Sequence, residues 1–266
     1  MGDHGAHSTG DRIRRAIMNL SGAGGFADRA FNHTAHVVDQ IGQAIVAGEY
    51  PERTMIPLDP DLEEMFGVSR TVIREAKKTL IAKGMLTSKA KVGTRVQPSS
   101  DWNMFDPDLL RWHSMQRAPG KFLEELFEIR LIFEPAAAAR LAEIARPEDH
   151  AALARQCASL EAARSRAAFA AADLEFHKLM LRLSGNRFLA SLGDLVQAAL
   201  YSLLAAEGSG EARSPEEMRE VAQKHRAIVA AVTEGSPERA RQAMAAVIAD
   251  AHHELFRARE KAIRGV

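Results

Sequence analysis

Two groups of residues in this sequence have the types and spacing that chemistry needs. Asp173 and His177 stand four apart in a stretch that reads as helix, so a carboxylate and an imidazole share one face. That placement lets two side chains hold one metal ion. His225 lies in a later helical stretch, from which it can close on the pair. Singly, a histidine on a helix is more often a surface or hydrogen-bonded residue than a ligand. The three gain meaning only if the fold brings them together. Arg130 is set in a mostly apolar helical stretch, and a buried arginine needs an anionic partner. On the residues alone that partner is Glu134, one turn on.

The second group is Gly67-Val68-Ser69-Arg70-Thr71-Val72-Ile73-Arg74-Glu75-Ala76. Gly67 permits a tight turn between two helices, and Ser69 is placed to cap the second. Arg70, Thr71 and Arg74 then lie near a helix N-terminus, the end by which a recognition helix meets base edges in the major groove. Arginine is the side chain shaped to grip guanine N7 and O6, and free N–H groups at a helix start suit a phosphate. The plainer reading of these arginines is a solvated helix face. Their spacing, the cap and the hairpin that follows favour DNA.

The elements that must position these residues can be read from periodicity. Val37–Ala47 is predicted as a helix ended by Gly48, with Val37, Ile41, Ala44 and Ile45 on one face. Asp61–Phe66 is a second, with Asp59 as its N-cap and Pro60 at its first position. Arg70–Lys83 is a third, burying Val72, Ile73, Ala76 and Leu80. Met85–Ser88 and Thr94–Gln97 read as short strands around a turn at Lys91–Gly93. This order is that of a winged helix-turn-helix. Pro98–Gly120 holds both tryptophans, Trp102 and Trp112, and reads as a linker that lies on a domain rather than floating free. From Lys121 on, the segments Lys121–Ala145, Pro147–Arg164, Ala167–Ser184, Arg187–Ala206, Ser214–Glu234 and Pro237–Arg264 all read as helix. The fold class is therefore mainly α: an N-terminal winged helix-turn-helix and a C-terminal all-α bundle of about six helices. The expected divisions are a flexible extension at 1–35, the DNA-binding domain at 36–98, the linker at 99–120 and the bundle at 121–264.

Composition agrees. The 266 residues suit two domains, and 46% hydrophobic residues suffice to bury two cores. Net charge is zero, but the distribution is not even. From Ser69 to Arg95 eight Lys/Arg face one acid, Glu75, whereas from His36 to Val68 seven acids face one base, Arg53. The single cysteine, Cys157, forbids an intrachain disulfide and fits a reducing cytoplasm. No run of about 18 apolar residues suggests a membrane span. Residues 1–32 carry glycine and charge where a signal peptide needs an apolar stretch, and Asp11–Leu20 can form a short helix.

The Gly67–Ala76 motif, Leu80, Lys83-Gly84-Met85-Leu86, Gly93-Thr94 and Val96 together resemble the DNA-binding domain of the GntR family. The resemblance implies a DNA-contacting set of Ser69, Arg70, Thr71, Arg74, Lys77, Gly93 and Thr94. One departure is Pro57-Leu58-Asp59-Pro60-Asp61-Leu62, where the family has Pro-Ser-Glu-Arg-Glu-Leu, so Pro60 replaces a DNA-contacting arginine. Glu128-Ile129-Arg130, Glu134-Pro135-Ala136-Ala137, Asp173 to His177, Ser184-Gly185-Asn186 and His225-Arg226-Ala227-Ile228 resemble the C-terminal (FCD-type) domain of the family's FadR branch. There, one Asp and three His hold a divalent metal. Asp173, His177 and His225 match three of the four ligands, while Val247 stands where the fourth belongs; His252 and His253 come five and six residues too late. The resemblance implies Zn²⁺, Mn²⁺ or Ni²⁺ with open positions, the other reading being a polar cluster that binds the effector directly. Asp101–Trp112 resembles the sugar-acid-responsive repressors of this branch. The effector is then a small carboxylate, such as an aldonate, held by Arg130 and Asn186.

The resemblance thus implies a homodimeric transcription regulator, expected to be a repressor released from an inverted-repeat operator by its effector. Two other readings compete. One is a metal-dependent hydrolase built on Asp173, His177 and His225, although no general base or oxyanion hole is evident beside them. The other is an architectural DNA binder without an effector, which would leave the interior Arg and His residues unexplained.

Overall fold

A computed structural model of the chain describes residues 26–116, 120–206 and 215–264. Two compact units divide it at Asp106 and Pro107. The first holds helices α1 (Phe26–Val46), α2 (Asp59–Phe66) and α3 (Arg70–Ala82), then strands β1 (Leu86–Lys89) and β2 (Gly93–Val96). α3 packs on both α1 and α2. Its buried stripe is Val72, Ile73, Ala76 and Leu80, and Lys77 is buried with them. β1 and β2 form the antiparallel wing, with Leu86 opposite Val96 and Lys89 opposite Gly93. Met55 bridges to Arg95, and Ile56 N–H donates to the Thr94 carbonyl, extending the sheet edge.

Several boundaries differ from the expectation. α1 begins at Phe26, eleven residues before the helix read at Val37. Asp28, Arg29, Asn32 and His33 interrupt the apolar spacing that reveals a helix. The N-cap position of α2 is Leu58 rather than Asp59, and the Asp61 carboxylate accepts the Leu58 N–H at 3.2 Å. Ser69 does occupy the N-cap position of α3, with extended backbone, but its side chain makes no capping hydrogen bond. The suggested helix at Asp11–Leu20 lies outside the described residues.

The Trp-bearing segment divides between the units. Trp102 belongs to the first, its indole N–H donating to the Gln97 carbonyl at 3.0 Å. Lys83 is paired there with Asp106 at 2.8 Å. Pro107–Ser114, read as linker, is a helix (α4) of the second unit. It buries Leu109, Leu110 and Trp112 and packs on α8 (Arg187–Ala206).

The rest of the second unit comprises α5 (Gly120–Ile144), α6 (Pro147–Ala162), α7 (Arg166–Leu183), α9 (Pro215–Thr233) and α10 (Pro237–Arg264). These bounds lie within two residues of the expected ones, because the breaks carry glycine or proline, except that between α6 and α7, where Ser165 caps the next helix. α5 runs against α10 and also meets α7, α8 and α9. α5 therefore buries much of its circumference, and its interior Arg130 and Glu134 are buried with it. Among the described residues no helix is long and apolar enough to cross a membrane.

Gly84 and Gly67 offer a matched test of the first unit. Both have positive φ, 80° and 62°. A Cβ on Gly84 would lie 2.2 Å from the Asp101 carbonyl oxygen, whereas one on Gly67 would meet nothing within 4 Å. Gly67→Ala should cost only the left-handed backbone penalty, about 1–2 kcal/mol. Gly84→Ala should cost that penalty plus displacement of the Asp101 backbone. Urea unfolding of the two variants checks the order.

Candidate functional site

In the second unit three helices deliver one largely buried charged chain. α5 contributes Arg130 and Glu134, α7 contributes Asp173 and His177, and α9 contributes His225. α7 starts cleanly because Ser165 caps it, accepting the Ala168 N–H at 3.2 Å. Pro135 follows Glu134 inside α5 and has no N–H to return to the Leu131 carbonyl one turn back.

Arg130 Nε donates to Glu134 Oε1 at 2.5 Å, and Nη2 lies 3.5 Å from Oε2. The same Oε2 lies 2.5 Å from His177 Nδ1. Glu134 therefore joins Arg130 to His177, and all three side chains are at most 4% exposed. Burial would by itself raise the Glu134 pKa. The charges and hydrogen bonds of Arg130 and His177 outweigh that and hold it down to about 2. With Nδ1 donating to a carboxylate, His177 turns Nε2 toward Asp173, whose Oδ2 is 4.0 Å away.

His225 is fixed in the same sense. Its Nδ1 donates to the Val221 carbonyl at 2.8 Å, leaving a lone pair on Nε2. That Nε2 is buried without a hydrogen-bond partner, although Asp173 Oδ1 is 3.1 Å away. The distance suffices but the alignment does not. Two acceptors this close require a positive species between them, either a proton on Nε2 or a metal ion. Burial would raise the Asp173 pKa, but the contact with His225 and the charges of His177, His225 and Arg130 hold the carboxyl well below its usual range. Phe176 closes one side, its ring 4.9 Å from that of His225 and nearly perpendicular to it.

The ligand atoms of Asp173, His177 and His225 all lie within 4.8 Å of one another. Tetrahedral ligands at about 2.0–2.1 Å from zinc stand about 3.3 Å apart, so a modest contraction suffices. The donor set and the orphaned Nε2 fit a divalent ion. Val247 is buried and supplies no ligand atom. His252 does not replace it: its ring lies 5.1 Å from that of Phe127, and His253 is exposed beside it.

Other expected residues are placed differently. Asn186 is exposed, and its Oδ1 accepts the Phe188 N–H at 2.9 Å at the start of α8. In the first unit Arg70, Thr71 and Arg74 lie exposed on α3, with Ser69 before them. Lys77, expected among the DNA-contacting residues, is buried and donates to Asp59 at 2.6 Å. Thr94 is also buried, 3.3 Å from the Ser88 hydroxyl, while Gly93 is half-buried and Val92 forms the exposed wing tip. Sequence reasoning left Glu134 as a mere alternative partner for Arg130 and missed its link to His177. The available signal was a single acid followed by proline in an otherwise apolar stretch.

A family model described as FCD domain matches residues 125–250, and one described as bacterial regulatory proteins, gntR family, matches residues 33–96. The chain is 33% identical over 169 residues to the uncharacterized HTH-type transcriptional regulator YieP of Escherichia coli K12, covering 62% of this chain and 74% of that protein. It is 29% identical over 226 residues to the galactonate operon transcriptional repressor of the same organism, covering 84% and 97%. It is 28% identical over 211 residues to the HTH-type transcriptional repressor NanR of Salmonella newport, covering 78% and 79%. The solved structure of Lar, which controls the agr system of Listeria monocytogenes, matches with a TM-score of 0.55 at 18% identity, covering 84% of this chain and 96% of that one. That likeness is one of fold alone.

Removing Arg130 should leave the buried Glu134 carboxylate with only His177 for support. Arg130→Ala is expected to lose about 3–5 kcal/mol, whereas Arg130→Met combined with Glu134→Met should lose much less. Urea unfolding at neutral pH distinguishes them. An Arg130→Ala midpoint equal to that of the unaltered protein would show that the ion pair does not carry this part of the core.

Proposed function

This chain belongs to the GntR family of bacterial transcription regulators, and we propose that it is a dimeric repressor whose grip on an inverted-repeat operator is released by a small sugar-acid carboxylate. The observation that carries the reading is the polar Asp173–His177–His225 cluster, its two histidines buried and its aspartate partly exposed, joined to Arg130 through Glu134. An apolar core would be no less stable without it, so its presence argues for a ligand. The name of the galactonate repressor, matched over 97% of its length, supports a sugar acid. Its family is one of regulators rather than enzymes, which removes the hydrolase alternative.

Asp173, His177 and His225 would hold a divalent ion, which supplies Lewis-acidic positions for the carboxylate and hydroxyl oxygens of a ligand. Glu134 keeps His177 in the tautomer that presents Nε2. Arg130 spends Nε and Nη2 on Glu134, and its Nη1 is the donor left for a carboxylate. Arg70, Thr71 and Arg74 read DNA from α3, while Lys77 acts beneath them through Asp59. One such helix reads few base pairs, and two-fold symmetry doubles the site. An effector releases the operator only by binding two arrangements of the dimer unequally.

Aldonates and dicarboxylates can be screened by thermal shift, with and without chelator. A ligand at 100 times its Kd that binds only the folded state stabilises by about 2.7 kcal/mol. The expected outcome is an aldonate shift abolished by chelator and by Asp173→Asn, with bound metal lost in the same variant. A metal-free protein whose aldonate shift survives chelator would place the carboxylate on Arg130 directly. No shift with any acid would overturn the effector reading.

The DNA reading has its own check. A duplex selected from a random-sequence library by the unaltered protein serves as operator. Arg70→Ala and Arg74→Ala should each lose about 1–3 kcal/mol of binding if they contact bases. Unchanged binding by both would refute α3 as the recognition helix.

A further inference from the structure

We infer that Asp59 is a specificity-determining residue of the DNA-reading surface, gathering Lys77, Arg74 and Arg70 so that the recognition helix meets DNA with oriented arginines and a reduced net charge. This rests on the reading of α3 as that helix.

The geometry is graded. Lys77 Nζ lies 2.6 Å from Asp59 Oδ1, with only 10% of its side chain exposed. Arg74 Nε lies 3.7 Å from Asp59 Oδ2, and Arg70 Nε lies 3.9 Å from that oxygen and also from Glu63 Oε1. The two arginine side chains are 61% and 62% exposed. Lys77 thus anchors the carboxylate, and its hydrogen bond holds the Asp59 carboxyl below the usual range, so the acid stays ionised at neutral pH. The arginines are tethered at Nε by charge alone, beyond hydrogen-bond range. Their terminal forks remain exposed, and the fork is the part that grips guanine O6 and N7.

Such exposed pairs add little to stability. Their consequence lies in binding. Contacts to phosphate are independent of sequence and grow with the number of cations offered, whereas base contacts need a held geometry. Here the three cations Arg70, Arg74 and Lys77 face two acids, Asp59 and Glu63. The acids weaken attraction for any duplex, and the tether keeps the forks in one orientation. Both effects raise the ratio of operator to random binding. The acidic block before α3 thereby acquires a role that net charge conceals.

The test uses the full-length protein, the selected duplex and a random duplex of equal length, titrated across salt. Asp59→Asn should bind the random duplex more tightly and steepen its dependence of log K on log salt by about 0.9, the worth of one phosphate contact. The operator-to-random ratio should fall about tenfold, comparable with one mismatched base pair. Asp59→Glu should keep both the slope and most of the ratio. If Asp59→Asn fails to fold because Lys77 is left buried and unpaired, Asp59→Asn with Lys77→Gln removes that pair together and still releases both arginines; its net charge is unchanged, so the fall in the operator-to-random ratio is its readout. An equal loss on both duplexes with an unchanged slope would make Asp59 a structural anchor only and overturn the inference. Arg70→Ala and Arg74→Ala serve as the controls: if both bind the operator normally, the recognition-helix reading has failed instead.

Discussion

The Glu134 carboxylate is held between an arginine one turn before it on α5 and a histidine on α7, all out of contact with water. An ionised carboxylate in such a place costs several kcal/mol unless its lone pairs are answered. Arg130 and His177 answer them, and in doing so they constrain each other. His177 must give its Nδ1 proton to Glu134, which commits Nε2 to Asp173. α5 and α7 must approach in one register for this to hold. The site and the core of the helical unit are in this sense one construction.

His225 enters the same arrangement from α9. Its ring is turned by a bond to its own helix, at the Val221 carbonyl, and packed against Phe176. What remains is an imidazole lone pair facing a carboxylate oxygen at 3.1 Å. This is an arrangement a cation would complete, and the buried Val247 offers no further ligand atom. A site with three protein ligands and an open position suits a ligand that brings its own oxygens.

The DNA-reading unit solves a different problem with the same elements. Its cations must be available to DNA, yet three of them lie close together on one helix. Asp59, at the first position of α2, and Glu63, one turn further on, divide the neutralisation among them. Burying Lys77 while leaving Arg70 and Arg74 exposed sorts residues of equal charge into one held inside and two offered to solvent. Charge counts cannot make this distinction, because burial decides it.

Much was legible before any coordinates. Helix breaks at Gly and Pro, with Ser165 as a cap between α6 and α7, placed the six long helices of the bundle almost to the residue, and the Gly67–Ala76 motif identified the turn and the helix after it. These are local properties: a backbone that needs positive φ, a lost N–H, an apolar stripe at helical period. The i, i+4 pair Asp173 and His177 was visible for the same reason. The long start of α1 and the helix at Pro107–Ser114 were not, because polar or Trp- and Pro-rich stretches hide a helical period that packing nevertheless enforces. Nor could sequence reveal that Lys77 turns inward to Asp59, that Asn186 spends its oxygen on the start of α8, or that Glu134 serves Arg130 and His177 together. Such choices depend on which groups from distant segments meet where water is excluded, and only the packed helices determine that.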